Sequence, residues 1–410
     1  MILFLYNLFL LLITPFLVIR IIFKSFSDKD YRSNFLNRFG IYHSNNNSKA
    51  VWFHAVSLGE VISSSKIVEK ILKDHDVVMS VTTPTGYREA KKIYGARLEL
   101  VYAPWDFFLF VLGFFRAFKP KALILFEAEI WPSMVSVAHS KNIPIILSNA
   151  RMSEKSFKNY KNFSFISKTI IQKFTMIYTQ SEAHLSRFNK LGASLEKIES
   201  VGSVKFDIHI NHKEVNKGNT PFILAASTHK GEDEIIIDAY KTLIKGNKNI
   251  GLVIAPRHPE RSAAIKKLLD KSNLKNRILK NIPSDLGMNT IDIMNGTGML
   301  RELYSKACLA FIGGSLFKEN GGHNIIEAAV EKCPFIVGPH MHNFEDVLKL
   351  FLKEKACFQV NDSSDMFDAF KNLINSDTLR ENISSRALDI CINNQGSIDH
   401  QCKGILEKIK

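Results

Sequence analysis

Residues 307–339 read ACLAFIGGSLFKENGGHNIIEAAVEKCPFIVGP: an apolar run, a glycine-rich loop, a mixed segment and a second apolar run. Short apolar runs bounded by glycine and proline are typical of buried parallel strands, and the segment between them predicts the crossover helix of a β-α-β unit. We therefore predict an α/β fold in which the glycine-rich loop joins a strand to a helix N-terminus. Unpaired backbone N–H groups at such a junction bind anions.

This loop has two interpretations. It contains four glycines: Gly313, Gly314, Gly321 and Gly322. Glycines let a phosphate approach the backbone closely, and Asn324 and Glu327, one helical turn apart, suit a ribose. Alternatively, the glycines only turn the chain and Glu327 is a solvated helix residue. The sequence contains neither the G-x-x-x-x-G-K-[ST] nor the G-x-G-x-x-G pattern of nucleotide-binding loops.

Apolar runs alternate with amphipathic segments along most of the chain, which predicts two β/α halves. The polar stretch His212–Asn219 separates the halves and reads as a linker. We therefore divide the 410 residues into a membrane anchor at 1–23, a Rossmann-like domain at 24–210, a linker at 211–221 and a second Rossmann-like domain at 222–410. The last helix packs either on its own domain or back on the first one.

Charge and cysteine content restrict the class of partner. The chain has 54 Lys and Arg against 40 Asp and Glu, a net charge of +14, which favours an acidic membrane surface, a phosphorylated substrate or nucleic acid. No zinc-finger spacing, RNP-like aromatic motif or Arg-rich tail is present, so nucleic acid is not expected. The five cysteines are scattered, as in a reduced cytoplasmic protein.

The N-terminal segment Met1–Phe23 is almost entirely apolar. About 20 such residues cross a bilayer as a helix, and Pro15 is expected to bend it. Basic residues follow this run instead of preceding it, which argues against a cleaved signal peptide and places the remainder in the cytoplasm. We predict an uncleaved membrane anchor; the alternative is a helix packed in a soluble core.

Polar side chains follow several predicted strands of the first half. Ser57 and Glu60 have the S-x-x-E spacing of a capping box. Glu60 also follows the strand Val51–Phe53, where a carboxylate that faces a cleft can accept a proton from a hydroxyl, so both interpretations stay open. Glu127 and Glu129 end the strand in ALILFEAEIWP and are expected at the ligand-binding edge of an open sheet.

Two more stretches of the first half each allow two alternative interpretations. The turn TPTG, residues 83–86, either cradles an anion through its hydroxyls and the Gly86 N–H or is an empty turn. The aromatic segment WDFFLFVLGFFRAF, residues 105–118, is predicted to be a buried helix. If it is exposed, it is a patch suited to a membrane or to lipid chains.

Candidate ligand-binding positions of the second half also follow predicted strands. Arg257, at the end of the strand in GLVIAPRHPE, offers a fork of donors to a phosphate or is a surface arginine beside two prolines. The segment IDIMNGTGML turns on Gly296 and Gly298. No H-E-x-x-H or C-x-x-C pattern is present, and His340-Met-His342 is interpreted as a loop, not as a metal site.

A dozen short motifs occur in order between Val51 and about Val347, and together they resemble one family. The motifs are WFHAVSLGE, VTTPTG, FEAEIWP, NARMSEKSFKNY, TQSE, FNKLGA, VGSVKFD, AASTHKGEDE, APRHPER, AFIGGSL, GGHNIIEAA and GPHMHNFED. The family is that of the Kdo (3-deoxy-D-manno-octulosonic acid) transferases, which build the inner core of lipopolysaccharide. The resemblance implies a GT-B glycosyltransferase, with two facing Rossmann-like domains and no cofactor or metal.

The resemblance also implies roles for individual residues. Glu60 is the implied proton acceptor, and Glu129 and Lys205 are implied to stabilise the transition state. The residues implied to hold the CMP part of the donor are Pro256, Arg257, Thr297, Gly298, Met299, Asn324, Ile325, Ile326 and Glu327.

The sequence departs from the family pattern in two of these segments. Gly298-Met299 stands where the family usually has Gly-Glu, so any carboxylate contact there is lost. Asn324-Ile-Ile-Glu327 stands where N-P-L-E is common, which removes a proline favoured in the first helical turn. Neither departure involves Glu60.

The implied reaction is inverting transfer of Kdo from CMP-Kdo to a primary hydroxyl of the lipid A precursor lipid IVA. The first domain is implied to bind this acceptor and the second to bind CMP-Kdo, on the cytoplasmic side of the inner membrane. Two alternatives remain: another GT-B enzyme, a transferase or epimerase that uses a UDP-sugar, and a catalytically inert membrane-anchored scaffold.

Overall fold

The computed structural model describes residues 2–43, 49–210, 221–246, 249–287 and 290–409. The chain divides into two compact units: unit 1 comprises Met1–Asp207 and Gln395–Lys410, and unit 2 comprises Ile208–Asn394. The predicted linker at 211–221 lies outside the described residues, except for its last residue.

Within the described ranges the chain forms sixteen α-helices: α1 (Ile2–Ser27), α2 (Leu58–Ile71), α3 (Pro84–Tyr94), α4 (Phe108–Phe118), α5 (Pro132–Ser140), α6 (Glu154–Asn162), α7 (Ser164–Ile171), α8 (Glu182–Lys190), α9 (Glu232–Ile244), α10 (Ser262–Lys271), α11 (Leu300–Lys306), α12 (Ile326–Val330), α13 (Glu345–Lys353), α14 (Ser363–Asn375), α15 (Asp377–Asn393) and α16 (Ser397–Lys408). The same ranges contain fourteen strands: β1 (Val51–His54), β2 (Val77–Val81), β3 (Glu99–Tyr102), β4 (Ala122–Phe126), β5 (Ile145–Ala150), β6 (Met176–Thr179), β7 (Ile198–Ser200), β8 (Phe222–Thr228), β9 (Gly251–Pro256), β10 (Asn276–Leu279), β11 (Ile291–Met294), β12 (Leu309–Ile312), β13 (Phe335–Val337) and β14 (Phe358–Gln359).

Unit 1 is built on a parallel sheet of seven described strands in the order β3-β2-β1-β4-β5-β6-β7. Every residue of β1, β2 and β4 is buried, as expected for strands covered by helices on both faces. Successive side chains of β1 alternate between two cores. Trp52 stacks on Phe114 of α4, with ring centroids 3.7 Å apart, and Phe53 belongs to the core on the opposite face.

The aromatic segment 105–118 is the buried helix that its composition predicts. Its core-facing residues in α4 are Val111, Phe114, Phe115 and Phe118. Phe108 and Leu109, in the first turn, are 38% and 61% exposed. An apolar groove of about 330 Å³ lies there, lined by α1 residues, including Phe4 and Leu8, and by Phe107–Leu109.

The helix α1 is the one described helix that is long and apolar enough to cross a membrane, by length and composition. It runs through Pro15 and ends at Ser27, beyond the predicted boundary at residue 23. The Tyr6 hydroxyl donates to Asp106 Oδ2 at 2.9 Å. Asp28, which follows the helix, pairs with Arg88 of α3 at 3.1 Å. Both ends of α1 therefore contact other elements of unit 1.

The helix α16 also belongs to unit 1, so the chain returns to this unit after unit 2. The side chain of Gln401 is completely buried. Its Oε1 atom accepts hydrogen bonds from the Ser148 hydroxyl at 2.7 Å and from the Asn149 N–H at 2.9 Å, at the carboxyl end of β5. The helix is thereby joined to the sheet edge of unit 1.

Unit 2 contains a second parallel sheet, with its seven described strands in the order β10-β11-β9-β8-β12-β13-β14. The β-α-β unit predicted from residues 307–339 is confirmed, because β12 pairs in parallel with β13, with Ala310 opposite Phe335. Its helix α12 has only five residues, because the glycine-rich loop occupies most of the crossover. The predicted α/β class, with two Rossmann-like units, is confirmed.

Each sheet has a position at which the strand order reverses. This switch point lies between β1 and β4 in unit 1, and between β8 and β12 in unit 2. Connections leave a switch point in opposite directions and open a crevice at the carboxyl ends of the strands, where open α/β sheets bind ligands. The candidate residues below follow these strands and their neighbours.

Candidate active site

Glu60 lies in the first turn of α2, just after β1 and at the switch point of unit 1. The Ser57 hydroxyl donates to Glu60 Oε1 at 2.8 Å, and the Val56 N–H donates to Oε2 at 2.9 Å. Ser57 also accepts a hydrogen bond from the Glu60 N–H at 3.4 Å, so the predicted helix cap is formed. The cap is compatible with the interpretation of Glu60 as a proton acceptor. It holds the carboxylate at the ligand-binding edge of the sheet, where Glu60 is 9% exposed.

Two carboxyl groups at this edge, those of Glu60 and Glu129, have raised pKa values. Burial, followed by the negative charge of Glu129, raises the pKa of Glu60 to about 7, although its hydrogen bonds from Val56 and Ser57 oppose the shift. Burial also raises the pKa of Glu129 to about 7. A carboxyl group that titrates near neutral pH is suited to accept a proton during a reaction.

The strand end that leads to Glu129 has an unusual backbone. Glu127 has a φ of +61°, a left-handed conformation that few residues other than glycine adopt. Its Oε2 atom lies 2.8 Å from Nε of Arg151, which follows β5, and its N–H donates to the Ser148 carbonyl at 2.9 Å. These contacts join the carboxyl ends of β4 and β5 and fix the loop that carries Glu129.

Lys205 lies in a short 3-10 turn, Val204–Phe206, which follows β7 at the same edge. The buried side chain of Asn149 accepts a hydrogen bond from the Val204 N–H at 3.2 Å. The Asn149 N–H is itself bonded to Gln401, so α16 helps to position the turn that carries Lys205. Sequence reasoning missed Gln401, because no local pattern relates two residues that are 252 positions apart.

The residues predicted to hold CMP follow three strands of the second sheet. Pro256 ends β9, and the exposed Arg257 comes directly after it. The turn 297–299 follows β11, and the segment 324–327 follows the glycine-rich loop after β12. Because all these strands are parallel, the structure brings the predicted positions to the carboxyl edge of the same sheet.

Asn324 and Glu327 are bonded to each other across the start of α12. Asn324 Nδ2 donates to Glu327 Oε1 at 3.0 Å, and Asn324 Oδ1 accepts from the Ile326 N–H at 3.0 Å. Ile325 and Ile326 are completely buried. Burial raises the pKa of Glu327, whereas Asn324 and the charges of Arg301 and Arg257 lower it.

The turn after β11 presents mainly backbone to solvent. Thr297 and Gly298 are exposed, and Gly298 has a φ of +83° with open space where a side chain would be. Met299 folds over Gly296, where an added Cβ would lie 2.7 Å from the Met299 Cε. The methionine therefore packs on its own turn, at the position where the family pattern has a carboxylate.

The backbone N–H groups at the start of the glycine-rich loop are already hydrogen-bonded within the protein. Glu232, completely buried in α9, accepts through Oε2 from Gly314 at 2.7 Å and from His229 at 2.9 Å. Its Oε1 atom accepts from Ser315 at 2.9 Å and from Leu316 at 3.0 Å. These four N–H groups are not available to a phosphate, which for this part of the loop favours the interpretation in which the glycines turn the chain.

Two histidines face each other at the switch point of unit 2. His229 follows β8, and His323 follows the glycine-rich loop. Their Nε2 atoms lie 2.8 Å apart, and their ring planes are nearly parallel, at 7°. His258 lies edge-on to His229, with ring centroids 5.8 Å apart. Sequence reasoning missed the pair, although both residues lie within quoted motifs, AASTHKGEDE and GGHNIIEAA.

Metal-ligating side chains are not clustered in the part of the chain that the structure describes. No group of three or more His, Cys, Asp or Glu residues there is arranged to hold a metal ion.

Two Rossmann-like units, each with polar residues at the switch point of a parallel sheet, are the architecture of the GT-B fold. The fold is similar to the crystal structure of a glycosyltransferase from Rickettsia africae, with a TM-score of 0.56, 15% sequence identity, and coverage of 89% of this chain and 98% of that one. More specifically, the chain belongs to the 3-deoxy-D-manno-octulosonic acid transferase family, and it is therefore a glycosyltransferase.

Family membership is shown by sequence similarity along most of the chain. The family profile described as 3-Deoxy-D-manno-octulosonic-acid transferase (kdotransferase) matches residues 33–208. The 3-deoxy-D-manno-octulosonic acid transferase of Rickettsia bellii is 32% identical over 374 residues, with 87% of each chain covered. The protein of the same name from Haemophilus influenzae is 29% identical over 412 residues, with 96% of each chain covered. The resemblance drawn from the motifs is confirmed.

Proposed function

We propose that this protein transfers Kdo from CMP-Kdo to lipid IVA, a precursor of lipid A, with inversion at the anomeric carbon. One observation carries the proposal. In a chain of the Kdo transferase family, Glu60 is a buried carboxyl group with a pKa of about 7, held by hydrogen bonds at a switch point where open α/β sheets bind ligands.

In the proposed reaction Glu60 accepts the proton of the acceptor hydroxyl as that oxygen attacks the anomeric carbon, and CMP leaves from the opposite face. Glu129 and Lys205, at the same sheet edge, stabilise the charge that develops in the transition state. We propose that unit 1, most of which is formed by residues 24–207, binds the acceptor. General-base assistance contributes about 10²–10⁴ in rate, so substrate positioning has to supply much of the remainder.

We propose that unit 2 binds the donor at the carboxyl edge of its sheet. Arg257 is exposed and carries a fixed positive charge, which suits a phosphate. The other proposed CMP contacts are Pro256, Thr297, Gly298, Met299, Asn324, Ile325, Ile326 and Glu327. The leaving group has one phosphate, so cationic side chains are sufficient in this scheme and no divalent metal is required.

The proposed location is the inner membrane, with both units on the cytoplasmic side. Tyr6 and Asp28, near the two ends of α1, are about 33 Å apart along a helix, and both are bonded to unit 1. The apolar core of a bilayer is about 30 Å thick, so a helix bound at both ends to one water-exposed unit does not have its ends on opposite sides. We therefore propose that α1 lies along the membrane surface, and the +14 charge of the chain favours the acidic headgroups.

The test of this function is incubation of the full chain in detergent with lipid IVA and CMP-Kdo, made in situ, in the presence of EDTA. We expect product masses that correspond to the addition of one or more Kdo units. If no product forms while the donor is demonstrably present, and Mg²⁺ restores nothing, Kdo transfer is rejected. Turnover of a UDP-sugar would then support the GT-B alternative, and no turnover with any nucleotide sugar would support the scaffold.

The pH dependence of transfer tests the coupling between the two carboxyl groups. Glu60 has to be ionised to accept a proton, so kcat/KM should fall as the pH drops below about 7. Glu129→Gln removes a neighbouring negative charge that raises the pKa of Glu60, so the acidic limb of the profile should move to lower pH. The profile is measured from pH 5.5 to 8.5. An acidic limb that stays in place in this variant would show that the two groups are not coupled.

A further inference from the structure

We propose that the His229–His323 pair is a proton-uptake site for the donor phosphate: it binds one proton from solvent when the phosphate occupies the switch point of unit 2, and it holds that proton while CMP leaves. This inference rests on the proposed CMP-Kdo donor. It assigns a role to two residues that the proposed CMP contacts do not include.

The geometry of the pair is that of a hydrogen bond between two rings. The Nε2 atoms are 2.8 Å apart in nearly parallel ring planes, so one ring donates an N–H and the other accepts it with a lone pair. A neutral pair therefore holds one proton between the rings and one on the Nδ1 atom of the accepting ring. An additional proton binds at the Nδ1 atom of the donating ring, and the resulting cation keeps the hydrogen bond intact.

The surroundings keep the pair neutral before a ligand binds. Burial, together with the charges of Arg257 and His258, lowers the pKa of His323 to about 4. Burial lowers the pKa of His229 as well; Glu232 opposes the shift, and His258, Arg261 and Arg257 add to it. An arriving anion opposes these effects, because a nearby negative charge favours the protonated form.

Around the first part of the glycine-rich loop, positive charge for an anion has to come from side chains. Glu232 occupies the N–H groups of Gly314, Ser315 and Leu316, so this part of the loop offers a phosphate no backbone donors. Arg257 is exposed, and its charge influences both rings, which places the two histidines within electrostatic reach of the proposed phosphate contact. Protonation of the pair adds a second positive charge beside it.

Charge and protons balance in this scheme. The donor phosphate is a diester with one negative charge. When its bond to the anomeric carbon breaks, the electron pair goes to the phosphate oxygen, and CMP leaves with two negative charges. The proton of the acceptor hydroxyl goes to Glu60. The proton on the histidine pair comes from solvent and returns to it after CMP dissociates.

The test is calorimetric titration of the full chain in detergent with CMP, at pH 7.5, in buffers that differ in ionisation enthalpy. The number of protons that the wild type takes up per bound CMP is compared with the numbers taken up by the variants His323→Phe and His229→Gln. We expect the wild type to take up more protons per CMP than either variant, by up to about one. As the pH rises, its affinity for CMP should fall more steeply than that of the variants, by up to about tenfold more per pH unit. The phosphate of CMP titrates in every sample, so the difference between variants isolates the pair.

The matched control is His139→Gln, which removes an exposed histidine from α5 in unit 1 and should take up protons as the wild type does. Equal proton uptake by the wild type and both pair variants would overturn the inference, since the pair would then only join β8 to the loop. If His323→Phe does not fold, His323→Gln replaces it, because this side chain still forms hydrogen bonds but does not titrate.

Failure of the proposed donor site has a different signature. Arg257→Ala should weaken CMP binding, whereas Arg386→Ala, an exposed arginine of α15, should not. CMP binding that is absent from the wild type, or unchanged in Arg257→Ala, would reject the donor site itself. CMP binding that depends on Arg257, with no difference in proton uptake, would reject only the role of the histidine pair.

Discussion

Replacing Glu60 by Gln is expected to lower the rate of Kdo transfer by about 10²–10⁴ while CMP binding is unchanged. The amide has the shape of the carboxylate and still offers one oxygen to the Val56 N–H or the Ser57 hydroxyl, so the cap of α2 should be retained. It cannot accept the proton of the acceptor hydroxyl. The rate is measured by mass spectrometry of the lipid product, and CMP binding by calorimetry.

The control for this variant is Glu69→Gln on the same helix. Glu69 is exposed and pairs with Arg97 at 2.9 Å, so its replacement should leave the rate within about twofold of the wild type. If Glu60→Gln keeps more than about a tenth of the rate, Glu60 is not the proton acceptor and its capping role is sufficient to explain its position. A rate loss accompanied by a lower melting temperature would instead indicate damage to the helix start.

Replacing Glu232 by Ala is expected to destabilise unit 2 by at least about 3 kcal/mol. Three buried N–H groups, of Gly314, Ser315 and Leu316, and the half-buried N–H of His229 would lose their acceptor. Each buried donor without a partner costs about 1–3 kcal/mol, although the four losses are not additive because the loop relaxes. The amides concerned should exchange with deuterium at least about 10²-fold faster, measured by mass spectrometry of peptides from this loop.

Glu234→Ala is the matched control, because Glu234 is exposed in the same first turn of α9. Its replacement should change neither the exchange of the loop nor the unfolding of unit 2. In Glu232→Gln the exchange rate of the loop amides should lie between those of Glu232→Ala and Glu234→Ala, since one oxygen remains as an acceptor. Equal exchange in Glu232→Ala and Glu234→Ala would show that the carboxylate does not hold the loop.

Local patterns in the sequence predict most of the fold. The runs VWFH, VVMSV and ALILF are buried central strands, because an apolar run without alternation fits a strand covered on both faces. Spacing also predicts the Ser57–Glu60 cap, and the two interpretations of Glu60 turn out to be compatible. A residue can complete a helix start and still present a carboxylate at the edge of the sheet.

What the sequence does not predict are contacts between distant segments. The glycine-rich loop has the composition of a phosphate cradle, but its acceptor is Glu232, 82 positions before Gly314. The histidine pair joins residues 94 positions apart. No periodicity connects such residues, because only the folded sheet brings β8 beside β12. The sequence leaves open which unit α16 joins, since the helix follows unit 2 along the chain, and the structure assigns it to unit 1.

The position of α16 has a consequence for synthesis on the ribosome. Domains usually fold in the order in which they emerge, the N-terminal one first. Here unit 1 lacks the buried side chain of Gln401 at the end of β5 until residues 395–410 have emerged, whereas all of unit 2 is translated before them. Unit 1 is therefore translated first but completed last. The carboxyl end of β5 is expected to lack its Gln401 contacts while unit 2 folds.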